Sequence, residues 1–140
     1  MSEDKHVNPP HGSICWTELG TKNVAAAKKF YTEIFGWKVS ESKGAGEMDY
    51  SEIEIGGRQV GGMYQLTEQM GSIPSHWISY ISVDDVDKTA EQVTAHGGKI
   101  MMPVKEIPHV GRFCVITDPT GAAIALITLR GASNPIGASS

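Results

Sequence analysis

The hydrophobic and polar positions of this chain follow one order of segments twice. In the first half, alternation of apolar and polar residues predicts strands at residues 14–21, 37–42, 48–55 and 60–66. Between the first two of these strands, apolar residues recur at helical spacing from Val24 to Ile34. In the second half, the same features predict strands at residues 77–83, 99–104, 112–117 and 122–129, with a helix that begins at Val86. The pattern therefore predicts the order βαβββ in each half.

The ends of the two predicted helices show how the halves correspond. Asn23 and Asp85 precede them as N-caps, and Gly36 and Gly98 follow as stop signals. The two caps are separated by the same sequence distance as the two stop signals, so one constant shift superposes the halves. A half-sheet of this size cannot close on itself, whereas two of them can curl around a cavity. We therefore predict an α+β fold in which two tandem βαβββ modules form a curved, barrel-like mixed sheet around a cavity.

The last predicted strand follows a tight turn. The turn has the sequence Asp118-Pro119-Thr120-Gly121, and the strand after it carries no charge, as is typical of a strand buried on both faces. The constant shift pairs Ala125 of this strand with Met63. Gly61 and Gly62 precede Met63, and glycines inside a strand usually mark the close approach of a backbone, a side chain or a ligand.

The same segments divide the chain into one domain with two flanking pieces. Residues 1–12 are predicted to be a loose arm, and residues 131–140 to be a disordered tail. The single domain spans residues 13–130. Within it, module one covers 13–66, a polar linker covers 67–75, and module two covers 76–130.

Composition and charge exclude several classes of function. The 140 residues carry a net charge of −4 and no run of Lys or Arg, so nucleic acid is not an expected partner. No apolar stretch approaches membrane-spanning length, and the N-terminus has no apolar signal core, so we expect a cytoplasmic protein without a membrane partner. Cys15 and Cys114 lie far apart in apolar segments and are predicted to be buried free thiols.

Several motifs resemble one known family. They are the stretch Asn23 to Trp37, the Val83-Asp84-Asp85-Val86-Asp87 segment and the turn at 118–121, set in the paired βαβββ order. Together they resemble the vicinal oxygen chelate superfamily, which includes glyoxalase I, extradiol dioxygenases, fosfomycin-resistance enzymes and bleomycin-binding proteins. The resemblance covers roughly residues 13 to 130 and points to a glyoxalase-like branch. It implies a cavity lined by the first and last strands of each module, where the family's metalloenzymes hold a divalent metal that acts as a Lewis acid.

This chain departs from the family at the implied metal positions. They fall on Trp16 and Ile78 in the first strands, and on Met63 and Ala125 in the last strands, where the metalloenzymes have Glu at the position of Ala125. Indole and alkyl groups have no lone pair for a hard cation, and a thioether is too soft. We therefore predict no metal and no other cofactor.

Two polar residues could still carry chemistry in the predicted cavity. Strand alternation places Glu18 beside Trp16 and Tyr80 beside Ile78, and the constant shift pairs Glu18 with Tyr80. They could act as acid and base, or orient a polar ligand. Glu18 could equally lie at a solvated edge or make a structural hydrogen bond. A metal site formed by His11, His76 and Glu18 is conceivable, although histidines in loops are more often plain surface residues.

Three functions remain open at this point. The first is a protein that binds a small apolar or aromatic molecule without the family metal. Its predicted ligand-binding cavity is lined by Trp16, Glu18, Met63, Ile78, Tyr80 and Ala125. The second is a lyase, isomerase or dioxygenase-type enzyme, which would use unrecognised ligands for a divalent metal or the pair Glu18 and Tyr80. The third is an interaction module whose cavity is filled by its own side chains. A homodimer is a further expectation, because in the family the cavity forms within one chain or across two.

Overall fold

The computed structural model describes residues 9–42 and 50–130. Residues 1–8, 43–49 and 131–140 lie outside the described part, and with them most of the predicted arm, the start of the predicted third strand and the predicted tail. The elements in chain order are β1 (Ile14–Thr21), α1 (Val24–Phe35), β2 (Lys38–Ser42), β3 (Tyr50–Ile55), β4 (Arg58–Gln65), a 3-10 turn (Glu68–Met70), β5 (His76–Ser82), α2 (Val86–Ala95), β6 (Lys99–Ile107), β7 (Gly111–Thr117) and β8 (Ala123–Leu129). The predicted order βαβββ-βαβββ is therefore confirmed. No helix within the described ranges is long and apolar enough to span a membrane.

Both helices begin at the predicted caps. The side chain of Asn23 accepts a hydrogen bond from the backbone N–H of Ala26, and α1 ends at Gly36, whose φ of 73° is in the left-handed region. The side chain of Asp85 accepts hydrogen bonds from the N–H groups of Asp87 and Lys88 at the start of α2. These side chains satisfy N–H groups that have no partner inside the helix.

The chain divides into two compact units. The first unit is Trp16–Ser79, and the second is Tyr80 onward together with the chain before Trp16. In the first unit the strand order is β2-β3-β4-β1, with β1 parallel to β4 and the other neighbours antiparallel. The boundary falls inside β5, whose residues 76–79 belong to the first unit; from Tyr80 onward this strand belongs to the second unit, where the order is β5-β8-β7-β6 with β5 parallel to β8. The predicted α+β fold with mixed strand directions is thus confirmed.

Each unit has its core between the sheet and its helix. In the first unit Leu19, Ile53 and Met63 are buried, and residues of α1 pack against them. In the second unit the buried cluster is formed by Val83, Val86, Cys114, Ile116 and Leu126. Cys114 is a buried free thiol as predicted, whereas Cys15 is only half-buried.

Strand β6 is longer than predicted. The sequence predicts an end at residue 104, but the strand continues to Ile107. Its pairing with β7 shifts register between Ile100 and Lys105, on either side of Pro103. Proline cannot donate to a sheet hydrogen bond, so strands accommodate it at edges and bulges. β6 is the outermost strand of its unit and can therefore continue past the proline.

The constant shift between the halves is wrong for the last strand of each module. Leu19 pairs with Met63 in the first unit, and Ile81, which the shift relates to Leu19, pairs with Leu126 in the second. Met63 therefore corresponds to Leu126, and the counterpart of Ala125 is Gly62. The connection from β3 to β4 is shorter than the connection from β7 to β8. Equivalent positions in β4 and β8 are therefore separated by a longer sequence distance than equivalent positions in the first strands. A one-residue slip in a strand moves every side chain to the other face.

Candidate functional site

The first unit has one sheet face turned away from α1. Because Leu19 belongs to the core beneath α1, alternation along β1 places Trp16, Glu18 and Gly20 on the opposite face. Register places Gly62 of β4 opposite Glu18 and Tyr64 opposite Gly20, and it places Tyr50 of β3 opposite Tyr64. We call the surface formed by these six residues the distal face.

A chain of hydrogen bonds crosses the distal face. The indole Nε1 of Trp16 donates to Oη of Tyr50 at 2.9 Å, and Tyr50 Oη donates to Oε2 of Glu18 at 2.8 Å. The direction is fixed because an indole N–H can only donate and an ionised carboxylate can only accept. Tyr50 is therefore held from both sides, and Glu18 is held by a phenol that reaches it across β4.

Gly62 makes room for this reach. A Cβ atom at Gly62 would overlap Oη and the ring of Tyr50, so the phenol lies directly on the glycine backbone. A Cβ at the preceding Gly61 would overlap the backbone carbonyl of Thr17. The prediction that this glycine pair marks a close approach is confirmed, with a side chain at one glycine and a backbone at the other.

The distal face carries a negative field. Burial, followed by the charge of Glu18 and the hydrogen bond to it, raises the pKa of Tyr50 far above its ordinary value of 10.0, and Glu52 adds to the effect. Burial and then the charge of Glu18 also raise the pKa of Tyr64. Both phenols therefore remain protonated in the ordinary pH range, and the field disfavours an anionic ligand near Glu18.

A second polar group borders this surface beside Tyr64. His76 begins β5, and its Nδ1 lies 2.8 Å from the carbonyl oxygen of Pro74. A Cβ at Gly20 would lie 2.8 Å from Tyr64 Oη and 3.2 Å from His76 Cε1, so both side chains occupy the space above this glycine. Ile78 follows two positions after His76, is half-buried and lies on the same face of β5.

The structure brings together only part of the predicted cavity lining. Trp16 and Glu18 share the distal face, whereas the prediction that Met63 lies beside them is wrong. Met63 is fully buried in the core under α1, because the register of the last strand is shifted by one position. Tyr80 and Ala125 are opposite each other in the second unit, where the ring of Tyr80 lies 6.2 Å from that of Phe113 between centroids. The cavity shared by all six residues stays a prediction.

Neither tyrosine of the distal face is among the site residues predicted from the sequence. The strand pattern identifies Tyr50 and Tyr64 only as positions within predicted strands. The available signal was the pair Gly61 and Gly62, because a bare backbone on a strand indicates that a large side chain from a neighbouring strand covers it. The pairing of β3 with β4 could then have identified β3 as the strand that contributes this side chain.

The implied metal positions do not fit a divalent cation. With the corrected register they are Trp16, Gly62, Ile78 and Ala125, which provide an indole, a bare backbone and two alkyl side chains. In the part of the chain that the structure describes, no three His, Cys, Asp or Glu side chains are grouped so as to hold a metal ion. The metal site conceived from His11, His76 and Glu18 is therefore not formed by these described residues, and Nδ1 of His11 accepts a hydrogen bond from the N–H of Asp84.

Comparisons with known proteins agree with this fold. A sequence profile of the Glyoxalase/Bleomycin resistance protein/Dioxygenase superfamily matches residues 13–126. A protein named glyoxylase CFP32 from Mycobacterium tuberculosis is 40% identical over 118 residues, which cover 82% of this chain and 45% of that protein. The anthracycline biosynthesis protein DnrV from Streptomyces peucetius is 29% identical over 127 residues, which cover 82% of this chain and 46% of that protein. This chain thus spans about half the length of both relatives. A glyoxylase-like domain-containing protein from Didymella fabae is 32% identical over 126 residues, covering 86% and 97% of the two chains.

Solved structures show the same fold at low sequence identity. A methylmalonyl-CoA epimerase from Streptomyces coelicolor has a TM-score of 0.62 at 14% identity, covering 86% of this chain and 99% of that chain. The methylmalonyl-CoA epimerase from Mycobacterium tuberculosis has a TM-score of 0.61 at 14% identity, covering 97% and 99%. Identities this low are informative about the fold alone.

Proposed function

Since the chain belongs to the Glyoxalase/Bleomycin resistance protein/Dioxygenase superfamily, we propose that it binds a small aromatic or apolar molecule on the distal face, without the family metal. The observation that carries the proposal is the hydrogen-bonded chain Trp16–Tyr50–Glu18. It holds an aromatic plane next to an oriented carboxylate on a half-buried surface. Ligand sites typically combine such apolar area with a few fixed polar groups.

The ligand is expected to donate a hydrogen bond to Glu18. An ionised carboxylate has about four acceptor positions, so it can accept from a ligand as well as from its protein partners. Hydrogen bonds to a charged acceptor are roughly twice as strong as neutral ones. The negative field described above favours a neutral or cationic donor over an anion.

Two matched probes test this proposal by NMR. 2-Naphthol offers a flat ring and a hydroxyl donor, and 2-methoxynaphthalene has the same rings without the donor. Binding is followed at the indole N–H signal of Trp16, assigned by its loss in Trp16→Phe. We expect 2-naphthol to shift this signal, and Glu18→Gln to weaken its binding about tenfold, because a charge-assisted hydrogen bond is lost. 2-Methoxynaphthalene should bind Glu18→Gln and the unmodified protein alike.

The other indoles provide an internal control. Trp37 and Trp77 lie on the α1 side of the first unit, where both rings contact Tyr31. Their N–H signals should change little on titration. Equal shifts at all three indoles, or a Glu18→Gln variant that binds 2-naphthol normally, would contradict the proposed site.

A second candidate is an acid–base enzyme. It is favoured by the fixed geometry around Glu18, whose carboxylate is oriented by Tyr50 as a general base would be. Tyr80, the acid partner proposed from the sequence, is a member of the second unit, and its catalytic role stays a prediction. Turnover of a dicarbonyl, catechol or epoxide substrate that is lost in Glu18→Gln would support the enzyme. Turnover unaffected by this variant would exclude Glu18 as the base.

We also propose that two copies associate through α1. Its side chains Phe30, Ile34 and Phe35 are 55%, 60% and 59% exposed, which is unusual for large apolar residues on one short helix. Sedimentation should show a dimer that Phe35→Ser weakens and that Met101→Ser, at another exposed apolar site, leaves intact. A monomer at all concentrations would refute the association.

The cytoplasmic location stays a prediction from the sequence.

A further inference from the structure

Tyr64 of the distal face and His76 at its border form a polar pair that the hydrogen-bonded chain of Trp16, Tyr50 and Glu18 does not include. Both side chains approach the space above Gly20, where a Cβ would lie 2.8 Å from Tyr64 Oη and 3.2 Å from His76 Cε1. Both residues are half-buried. The two side chains therefore lie next to each other above this glycine.

The contact with Pro74 fixes the tautomer of His76. A carbonyl oxygen can only accept, so the ring nitrogen that lies 2.8 Å from it, Nδ1, must carry the proton. In the neutral imidazole, Nε2 is then an acceptor with a lone pair. Tyr64 contributes a hydroxyl donor, and the raised pKa of this phenol keeps its proton in place. The pair thus combines one donor and one acceptor.

Building on the proposed function, we propose that Tyr64 Oη and His76 Nε2 form a second polar subsite for a ligand group that carries a hydrogen-bond acceptor beside a donor. A primary carboxamide has this chemistry, as does a hydroxyl next to a carbonyl. The phenol donates to the acceptor of the ligand, and the imidazole accepts from its donor. Gly20 allows the two side chains to lie close together because it presents no side chain of its own.

Two amides separate the contributions of the two side chains. Benzamide carries an acceptor and an adjacent N–H donor, and N,N-dimethylbenzamide keeps only the acceptor. Followed at the Trp16 indole signal, benzamide should bind about fivefold more tightly, as expected for one additional net hydrogen bond. A primary amide of a saturated ring, cyclohexanecarboxamide, shows whether the amide group or the aromatic ring determines the preference.

Two variants then assign the atoms. His76→Asn keeps an amide N–H where Nδ1 donates to Pro74 but removes Nε2, so benzamide should bind about fivefold more weakly and N,N-dimethylbenzamide within about twofold of its original affinity. Tyr64→Phe should weaken both amides to a similar degree, because both need the hydroxyl donor. Tyr31→Phe on the α1 side is the matched tyrosine control and should leave both affinities as they were.

The outcomes distinguish the subsite from the proposed function. Equal affinity for the two amides, or equal losses for both in His76→Asn, overturns the subsite even where 2-naphthol still binds through Glu18. Failure of every aromatic probe to bind would overturn both proposals. A second measurement does not depend on any ligand: nitrogen-15 NMR should show the neutral His76 ring protonated at Nδ1. A ring protonated at Nε2 would overturn the subsite directly.

Discussion

Among the residues of the distal face, Tyr50 joins the two ends of the hydrogen-bonded chain. It accepts from Trp16, donates to Glu18 and lies on Gly62, so one phenol contacts three neighbours. Its burial beside a carboxylate makes the tyrosinate form costly in the folded protein. This cost has a measurable consequence for stability at alkaline pH.

We expect Tyr50→Phe to change how stability depends on pH. The pKa of Tyr50 is raised in the folded state, so its stabilising effect is complete below the unfolded value of about 10 and is lost as the pH rises beyond it. Between about pH 9 and pH 11 the unmodified protein should lose about 1 kcal/mol more than Tyr50→Phe. Urea unfolding at several pH values measures this difference.

A matched pair of glutamate variants checks the cause of this pH dependence. Part of the raised pKa of Tyr50 comes from the charge of Glu18, so in Glu18→Gln the alkaline loss of stability should level off at a lower pH than in the unmodified protein. Glu68→Gln, in the exposed 3-10 turn, should preserve the original slope. Identical slopes for Tyr50→Phe and the unmodified protein would show that the phenol ionises normally.

The contact between Gly62 and Tyr50 makes a second prediction. Gly62→Ala forces the phenol to move, and we expect a loss of about 1–3 kcal/mol in the free energy of unfolding. In a Tyr50→Ala background the added methyl group meets no ring, so the same substitution should cost much less. A double-mutant cycle by urea unfolding measures the coupling. Additive losses would show that the ring does not occupy this glycine.

At the scale of elements, the last strand of each unit is tied to the start of the helix. The side-chain oxygen of Gln65 accepts from the N–H of Val24, the first residue of α1. The hydroxyl of Thr128 accepts from the N–H of Val86, the first residue of α2, and donates to the carbonyl of Val83. Gln65 and Thr128 occupy equivalent positions in the last strands of the two halves. The sequence distance between them is one residue longer than the distance between the helix caps Asn23 and Asp85.

We expect Thr128→Val to reveal the strength of this tie. It keeps the shape of the side chain but leaves the Val86 N–H without its acceptor, which should lower the free energy of unfolding by about 1–2 kcal/mol. Thr128→Ser retains the hydroxyl and should recover most of this loss. Thermal and urea unfolding of the three proteins provide the comparison. A Val variant as stable as the Ser variant would mean that water replaces the hydroxyl at no cost.

The elements also show how far the sequence can be interpreted. Strand and helix periodicity and the caps at Asn23 and Asp85 predicted nearly every element, because these signals are local. The register of β4 and β8 was not predictable from a constant shift, since it depends on how long each connection is. Register decides which face Met63 occupies, so an accurate list of elements still gave a wrong site residue.

For the whole molecule, family membership and site chemistry must be considered separately. The profile match and the order of elements establish the superfamily, and a fold of this kind serves several chemistries. The Tyr50–Glu18 contact joins side chains on different strands that are far apart in the sequence, so no local pattern could predict it. The missing carboxylate at Ala125 was readable from the sequence once the family pattern was known.

Divalent metals should not change the stability of the whole protein. The corrected positions Trp16, Gly62, Ile78 and Ala125 offer no ligand, so we expect protein purified without chelator to contain less than stoichiometric metal by mass spectrometry. Calorimetry should give the same melting temperature before and after EDTA, and after addition of Zn²⁺, Ni²⁺ or Mn²⁺. A resident metal at roughly a thousandfold excess over its Kd would contribute about 4 kcal/mol, which would shift the melting temperature by several degrees. A stoichiometric metal whose removal lowers the melting temperature by this amount would contradict metal-free binding and restore the metal-dependent enzyme as the better hypothesis.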